Sequence, residues 1–210
     1  IVKTSLNIPM GCGVASSACG FAALTLALDK LFAWNLPKEK LSQIAQIGSG
    51  SAARSIFAGF VHWRTDSSIY KLDNLWPELR VGLCIVTSKQ KKIGSTEAMI
   101  RSQNTAPDYD KWPTYAQSLI SPIINSIKNK DFTKFGEISE QCAIKMHDII
   151  RSCSPSINYD LDKTCALKEK VKNLRESGLE VYFTQDAGPN LKLLFLSDNL
   201  DQVLENFPDL

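Results

Sequence analysis

The order of apolar periodicities along the chain narrows its fold more than any other feature. Ala18, Phe21, Ala22, Leu28, Leu31 and Phe32 recur at helical spacing and predict an amphipathic helix from Ser16 to about Phe32. Leu36-Pro37 breaks it, and Pro37 suits the first turn of a second helix through Ile47. Residues 1–6 read as a strand, and "FAGFVHW" and "SSIYKL" as two more, paired with each other. Beyond Trp76-Pro77-Glu78 comes a β-rich run, "LRVGLCIVTS". Helical stretches follow at about 95–103, 107–129, 131–151 and 160–176. "GLEVYFTQ" and "LKLLFL" are the last strands, with a short helix after Ser197-Asp198. Strands mixed with long helices, out of strict alternation, imply an α+β fold rather than a doubly wound α/β one.

At 210 residues the chain can bury a real core as one large domain or two small ones. Trp76-Pro77 is the natural junction, giving 1–76 and 77–210. The formal charge of +2 is too small to suggest a nucleic-acid partner, and no Lys/Arg block is interleaved with aromatics. No apolar stretch approaches the roughly 20 residues of a membrane span. Six cysteines are scattered without a C-x-x-C pair, so metal-ligand spacing is missing. Reduced, mostly buried thiols are expected, as in a cytoplasmic protein. The opening "IVKTSL" is mid-strand in character and lacks Met, which leads us to expect a longer protein with a further segment before Ile1.

Three stretches have the residue types for chemistry. In "PMGCGVASSACG", glycines allow positive φ and close backbone approach to a ligand. The loop opens into a helix beginning with Ser16 and Ser17, whose free N–H groups, dipole and hydroxyls make an anion site. The plainer alternative is that Ser16 is only an N-cap on a Gly-rich turn. It is not a Walker loop, since no Gly-Lys-Ser/Thr follows. In "GSGSAARS", a helix starting near Ser51 puts Ser51, Arg54 and Ser55 on one face. There Arg54 suits bidentate binding of a carboxylate or phosphate, or else is a solvated arginine on a capped surface helix. In "KKIGSTEAM", Ser95 stands at a helix start, as a ligand group or as a cap. His62 and His147 read as packed structural histidines. Asp186, in "YFTQDAGPN", is a lone carboxylate where a strand stops on Ala-Gly-Pro.

Together and in this order, "NIPMGCGVASSACGFAAL", "IGSGSAARSIFAGFVHW", "KKIGSTEAM", "KMHDII" and "VYFTQDAGPN" resemble the mevalonate diphosphate decarboxylases of the GHMP kinase superfamily, especially the bacterial type. The matching stretches cover nearly the whole chain. "GSGSAARS" and "DAGPN" mark this branch, whereas the Gly/Ser loop alone would mark only the superfamily. The resemblance implies a GHMP kinase fold, with a first part like domain 2 of ribosomal protein S5 and a ferredoxin-like second part. It implies an ATP- and Mg2+-dependent carboxy-lyase of the mevalonate pathway of isoprenoid biosynthesis. Mevalonate 5-diphosphate would be phosphorylated on its C3 hydroxyl, then lose phosphate and carbon dioxide to give isopentenyl diphosphate. A cytoplasmic homodimer, with no nucleic-acid or membrane partner, is implied as well.

Residue by residue, the resemblance makes Asp186 the catalytic carboxylate facing the C3 hydroxyl. Arg54 binds the substrate carboxylate, and Ser49 and Ser51 contact the substrate. Gly13, Ala15, Ser16 and Ser17 belong to the ATP phosphate loop, and Ser95 lies near the transferred phosphate. Asp186, Arg54, Ser51 and the Ser16 helix start are expected to surround one cleft. The family's Asn-Asn-Phe-Pro stands here as Leu6-Asn7-Ile8-Pro9, and its Thr-Ala-Ala-Gly as Met10-Gly11-Cys12-Gly13. Gln185 precedes the Asp where the family has an apolar residue. The family also carries a segment before "IVKTS" with substrate-binding Asn and Lys residues. Residues 1–210 alone are therefore expected to be poorly soluble and inactive. The alternatives are a kinase stopping at the 3-phosphate, a decarboxylase of the monophosphate, or an inactive fragment.

Overall fold

Small residues on two helix faces bring the first unit's helices close together. The structure is a computed structural model describing residues 2–73 and 75–210, and it divides into two units, Ile1–Leu75 and Trp76–Leu210. In the first, α1 (Ser16–Leu31), α2 (Lys38–Gly48) and the one-turn α3 (Ala52–Ser55) share a core of Ala22, Leu41, Ala45, Ala52 and Ile56. Gly48 is needed where α2 meets α1, because a Cβ there would lie 2.0 Å from the Phe21 ring. Pro37, expected in the first turn of α2, is instead the residue before it, with φ −62° already suited to helix entry. The strands β1 (Val61–Trp63) and β2 (Ile69–Lys71) pair antiparallel, with His62 opposite Tyr70. Residues 2–6 form no strand, because no described residue supplies the hydrogen-bonded neighbour that a strand requires.

The second unit is built on a three-stranded antiparallel sheet in the order β3 (Leu79–Cys84), β5 (Leu191–Leu196), β4 (Tyr182–Thr184). Alternation along β4 and β5 puts Phe183 and Leu193 on one face, and Tyr182 and Leu194 on the other. The first face is covered by α8 (Asp162–Glu176) and α9 (Leu200–Asn206), burying Val171 and Val203 against Leu191, Leu193 and Phe195. On the second face lies α7 (Phe132–Ser152), whose Gly136 would, with a Cβ, come within 2.1 Å of the Tyr182 ring. The outer edge of β4 is closed by side chains. Glu140 accepts from Phe183 N–H at 3.2 Å, and Arg175, ion-paired to Glu140 at 3.0 Å, donates to Val181 C=O at 2.9 Å.

Two differences from expectation have local causes. The helix expected over 107–129 is a 3₁₀ turn at Tyr109–Lys111 followed by α5 (Trp112–Ser118) and α6 (Ile120–Asn129). Pro122 cannot donate a helical hydrogen bond back to residue 118, but it is tolerated within the first turn of a new helix, so the chain restarts at Ile120. The β-rich run at 79–88 stops at Cys84, because beyond it the Asn190 side chain replaces a strand neighbour. Its Oδ1 accepts from Val86 and Thr87 N–H at 2.7 and 3.1 Å, and its Nδ2 donates to Thr87 C=O at 3.0 Å. The remaining helix, α4 (Ser95–Thr105), packs through Ala98 and its C-cap residue Ala106 on Ile149, Ile150 and Tyr159.

The Gly136 contact is a direct test of this packing. Gly136→Ala is expected to destabilise the protein by about 1–3 kcal/mol despite alanine's better helix propensity. Tyr182 cannot yield easily, being edge-on to Phe132 at 5.5 Å and under the Arg175 guanidinium at 4.5 Å. A lower urea midpoint with an unchanged m-value is the expected observation.

Candidate active site

In the first unit, the Gly/Ser loop is shaped by three residues of positive φ: Gly11 at 69°, Gly13 at 86° and Ala15 at 59°. Left-handed residues alternating with others turn successive N–H groups toward one side, the geometry of an anion-binding nest. Ala15 is the N-cap position of α1 and has no side-chain cap, while Ser16 is already helical and accepts from Gly11 N–H at 3.1 Å. Ser16 is thus not the N-cap. Its hydroxyl staples the loop, and Cys12 is fully buried beneath.

The loop and the "GSGS" turn meet through hydroxyls. Ser17 Oγ lies 3.3 Å from Ser49 Oγ, which lies 3.2 Å from Ser51 Oγ, so the structure brings three of the expected site residues into one chain of hydrogen bonds. Gly50 between them is tightly packed, since a Cβ would sit 3.0 Å from Trp63 Cη2. Arg54 projects from α3, whose Ala52 and Ala53 are fully buried and whose Ala53 C=O is held by buried Ser42 at 2.8 Å. The Arg54 guanidinium is exposed, with no hydrogen bond or ion pair among the described residues. The half-buried turn α3 thus carries an exposed arginine three residues after Ser51, the last of the serine chain.

In the second unit, Asp186 follows β4 on a turn whose backbone carbonyls are each taken by a donor. Asp186 C=O accepts from His147 Nε2–H at 3.0 Å and from Gly188 N–H at 2.7 Å. Ala187 C=O accepts from Lys91 Nζ, Gly188 C=O from Gln185 Nε2 at 2.8 Å, and Pro189 C=O from Thr164 Oγ1 at 2.8 Å. The Asp186 carboxylate, 51% exposed, pairs with Lys192 Nζ at 2.5 Å and stays open to a further partner. Lys192 is on the central strand opposite Thr184, so strand alternation brings it to the side on which Asp186 emerges.

Ser95 begins α4 and is exposed. Its approach is tied to the Asp186 turn, because Lys91, bound to Ala187, also lies 5.3 Å from the Tyr159 ring centre, and Tyr159 OH donates to Ile93 C=O at 3.0 Å. Ser95 and Asp186 are thus on segments stapled together within the second unit, while the loop serines and Arg54 belong to the first. Sequence reasoning did not anticipate Lys192, Thr164 or Asp160 as partners of this turn. His147 it placed correctly as packed, though not as the donor beneath the acid.

Burial sets the titration of the surrounding groups. His147 is held below the usual imidazole range chiefly by burial, so the ring is neutral at pH 7. Tyr159 is pushed up to about 12 by burial, which keeps its hydroxyl a donor. Burial raises the Asp160 carboxyl, but hydrogen bonds from Lys168 and Gln185 outweigh it, and the net direction is down. Cys84 is buried and raised to about 11, an inert thiol. All six cysteines are free, with Cys19 and Cys165 exposed rather than buried. No group of three or more His, Cys, Asp or Glu among the described residues is placed to hold a metal ion.

The two-unit α+β chain with its Gly/Ser loop has the GHMP kinase fold, as its similarity to solved structures shows. Residues 1–74 match the family described as diphosphomevalonate decarboxylase-like N-terminal domain, and residues 81–209 the mevalonate 5-diphosphate decarboxylase C-terminal domain. The chain belongs to the mevalonate diphosphate decarboxylase family. It is 33% identical to the diphosphomevalonate decarboxylase of Candida albicans, over 94% of this chain and 58% of that protein. It is similar to mevalonate pyrophosphate decarboxylase from Streptococcus pyogenes, with a TM-score of 0.87, 32% identity, and coverage of 97% of this chain and 64% of the other. MDDEF in complex with MVAPP, AMPPCP and magnesium gives a TM-score of 0.87 at 32% identity, covering 96% and 64%. The chain spans a little over half the length of the curated relatives it matches.

The buried histidine gives the protein a pH-dependent stability of defined sign. Because His147 is depressed below 6.5 when folded, the unfolded chain takes up its proton first as pH falls. Its contribution is complete above pH 6.5 and lost as pH drops from there toward the folded value. His147→Gln retains an amide donor for Asp186 C=O and removes the titration. The urea midpoint of the parent is expected to fall more between pH 7.5 and 5 than that of the variant.

Proposed function

We propose that the protein carries out the ATP-dependent decarboxylation of mevalonate 5-diphosphate to isopentenyl diphosphate. What carries this reading is the presence, on one chain matching both segments of the family in order, of an outward arginine beside a serine chain and an outward carboxylate on a fixed turn. Residues 1–76 act as the ATP-binding domain and 77–210 as the C-terminal domain. Support for nucleotide and magnesium comes from the AMPPCP and magnesium in a related structure and from the fit of the loop to phosphate.

The residues suit the steps. The N–H groups around Gly13 and Ala15, with Ser16 and Ser17, hold the phosphate chain. Mg2+ would be held largely by phosphate oxygens and loop hydroxyls, as is usual for this ion, and supplies neutralisation of the transferring phosphate. Ser49 and Ser51 hydrogen-bond the second substrate, while Arg54 grips its carboxylate through a planar fork. A tertiary alcohol is a poor nucleophile, so Asp186 accepts or orients the C3 hydroxyl proton as oxygen attacks the γ-phosphorus and ADP departs. The C3–O bond then breaks with its electrons leaving on phosphate. Electrons of the bond to the carboxylate carbon form the new double bond, and carbon dioxide is released. Once the hydroxyl proton has passed on to the phosphate, Asp186 is again a carboxylate and stabilises the positive charge developing at C3. Ser95 contacts the transferred phosphate.

Free thiols support a reducing, cytoplasmic compartment. No described helix is long and apolar enough to cross a membrane. The family resemblance supports a homodimer, which sedimentation can measure.

Carbon dioxide release from mono- and diphosphate substrates with ATP tests the reading, and release only from the monophosphate, or none, would refute it. Asp186→Asn is expected to lower kcat by about 10²–10⁴-fold, with KM changed by less than about tenfold, because its charge matters in the transition state. Arg54→Ala is expected to behave differently, raising KM as well as lowering kcat, since the carboxylate it binds exists in the ground state. Arg54→Lys recovers only part of the loss, for want of the fork.

A further inference from the structure

Gln185, the residue immediately before Asp186, is 3% exposed. A buried amide is costly unless it is hydrogen-bonded. Here the amide is used twice. Gln185 Nε2 donates to Gly188 C=O at 2.8 Å, bridging the start of the turn to its end, and to Asp160 Oδ1 at 2.9 Å. Asp160, 7% exposed, is fixed by Lys168 Nζ at 2.8 Å and Arg151 Nη1 at 3.1 Å, from α8 and α7. Gly188 in turn donates to Asp186 C=O.

Strand alternation explains the division of roles. Gln185 continues the side of Phe183, facing α8, and Asp186 the side of Thr184 and Lys192. Whatever fixes the buried amide therefore fixes the direction in which the next side chain leaves the backbone. We propose that Gln185 and Asp160 form a positioning pair for Asp186: the two cations hold Asp160, Asp160 holds Gln185, and Gln185 sets the turn. Neither residue touches the reacting atoms. This rests on the reading of Asp186 as the reacting carboxylate.

The test compares Gln185→Met, Asp160→Asn and the double variant in the full protein, by two measurements. Amide hydrogen exchange at Gly188 reports the turn without any need for activity. In Gln185→Met it is expected to speed up about tenfold or more, while Leu193 in the central strand keeps the parental rate. Kinetics of ATP-dependent carbon dioxide release report the consequence. Expected is a loss of roughly 10- to 100-fold in kcat, with KM for both substrates within about twofold, and a double variant no worse than Gln185→Met alone. If Gln185→Met does not fold, Gln185→Asn, too short to reach both acceptors, replaces it. Parental exchange at Gly188, or faster exchange with unchanged kcat, overturns the pair. A parent that releases no carbon dioxide refutes the assignment of Asp186 instead, and exchange at Gly188 then still decides whether Gln185 sets the turn.

Discussion

Backbone carbonyls that cannot be left unpaired decide the shape of the acid turn. From Asp186 to Pro189 the chain leaves the sheet and has no ladder partner, yet it is packed against α7, α8 and the segment before α4. An unmade hydrogen bond in such a place costs about 1–3 kcal/mol, so four successive carbonyls need four donors. They come from His147, Lys91, Gln185 and Thr164, each on a different stretch of chain. Asn190 completes the exit by taking up the unpaired groups of Val86 and Thr87. The carboxylate therefore stands on a base fixed from several directions, and its own oxygens are spared that duty.

The first unit meets the opposite need by opposite means. An anion site requires donors left free, so its loop is shaped by backbone conformation and by few side chains. Gly11 and Gly13 adopt positive φ at little cost, but Ala15 in the same region carries a strain of about 1–2 kcal/mol. Ser16 holds the loop from inside, through Gly11 N–H, and so offsets part of that strain. Strain kept at a helix start, next to a chain of serine hydroxyls, is where a ligand's contacts would be felt most.

Much of this was legible because periodicity records burial. The helices α1, α2, α4, α7 and α8 and the strand pairs follow from spacing, since each has one face to hide. Proline chemistry was read less well. Pro37 lies before α2, and Pro122 restarts a helix that apolar spacing alone would run through. Residues 2–6 have strand-like composition, but composition cannot supply a neighbour. In the site, motif residues such as Asp186, Arg54 and Ser16 could be named from the sequence, whereas Lys192, Thr164 and Asp160 could not. Their contacts join positions far apart in the chain, or adjacent across a strand pair, and no local pattern marks them. Gln185 was visible only as a departure.

Gln185 is also where stability and function make different demands. An apolar side chain at that position would pack without desolvating an amide, and would leave Asp160 with two cations and no need of a third donor. A core designed only for stability would accept it, because replacing buried polar groups by well-packed apolar ones is often neutral or stabilising. What an apolar residue cannot do is distinguish one rotation of the turn from another, since dispersion is nearly indifferent to direction. Two hydrogen bonds from one planar amide, to acceptors 2.8 and 2.9 Å away, admit a single orientation. A carboxylate that must meet one hydroxyl needs that kind of constraint directly beneath it.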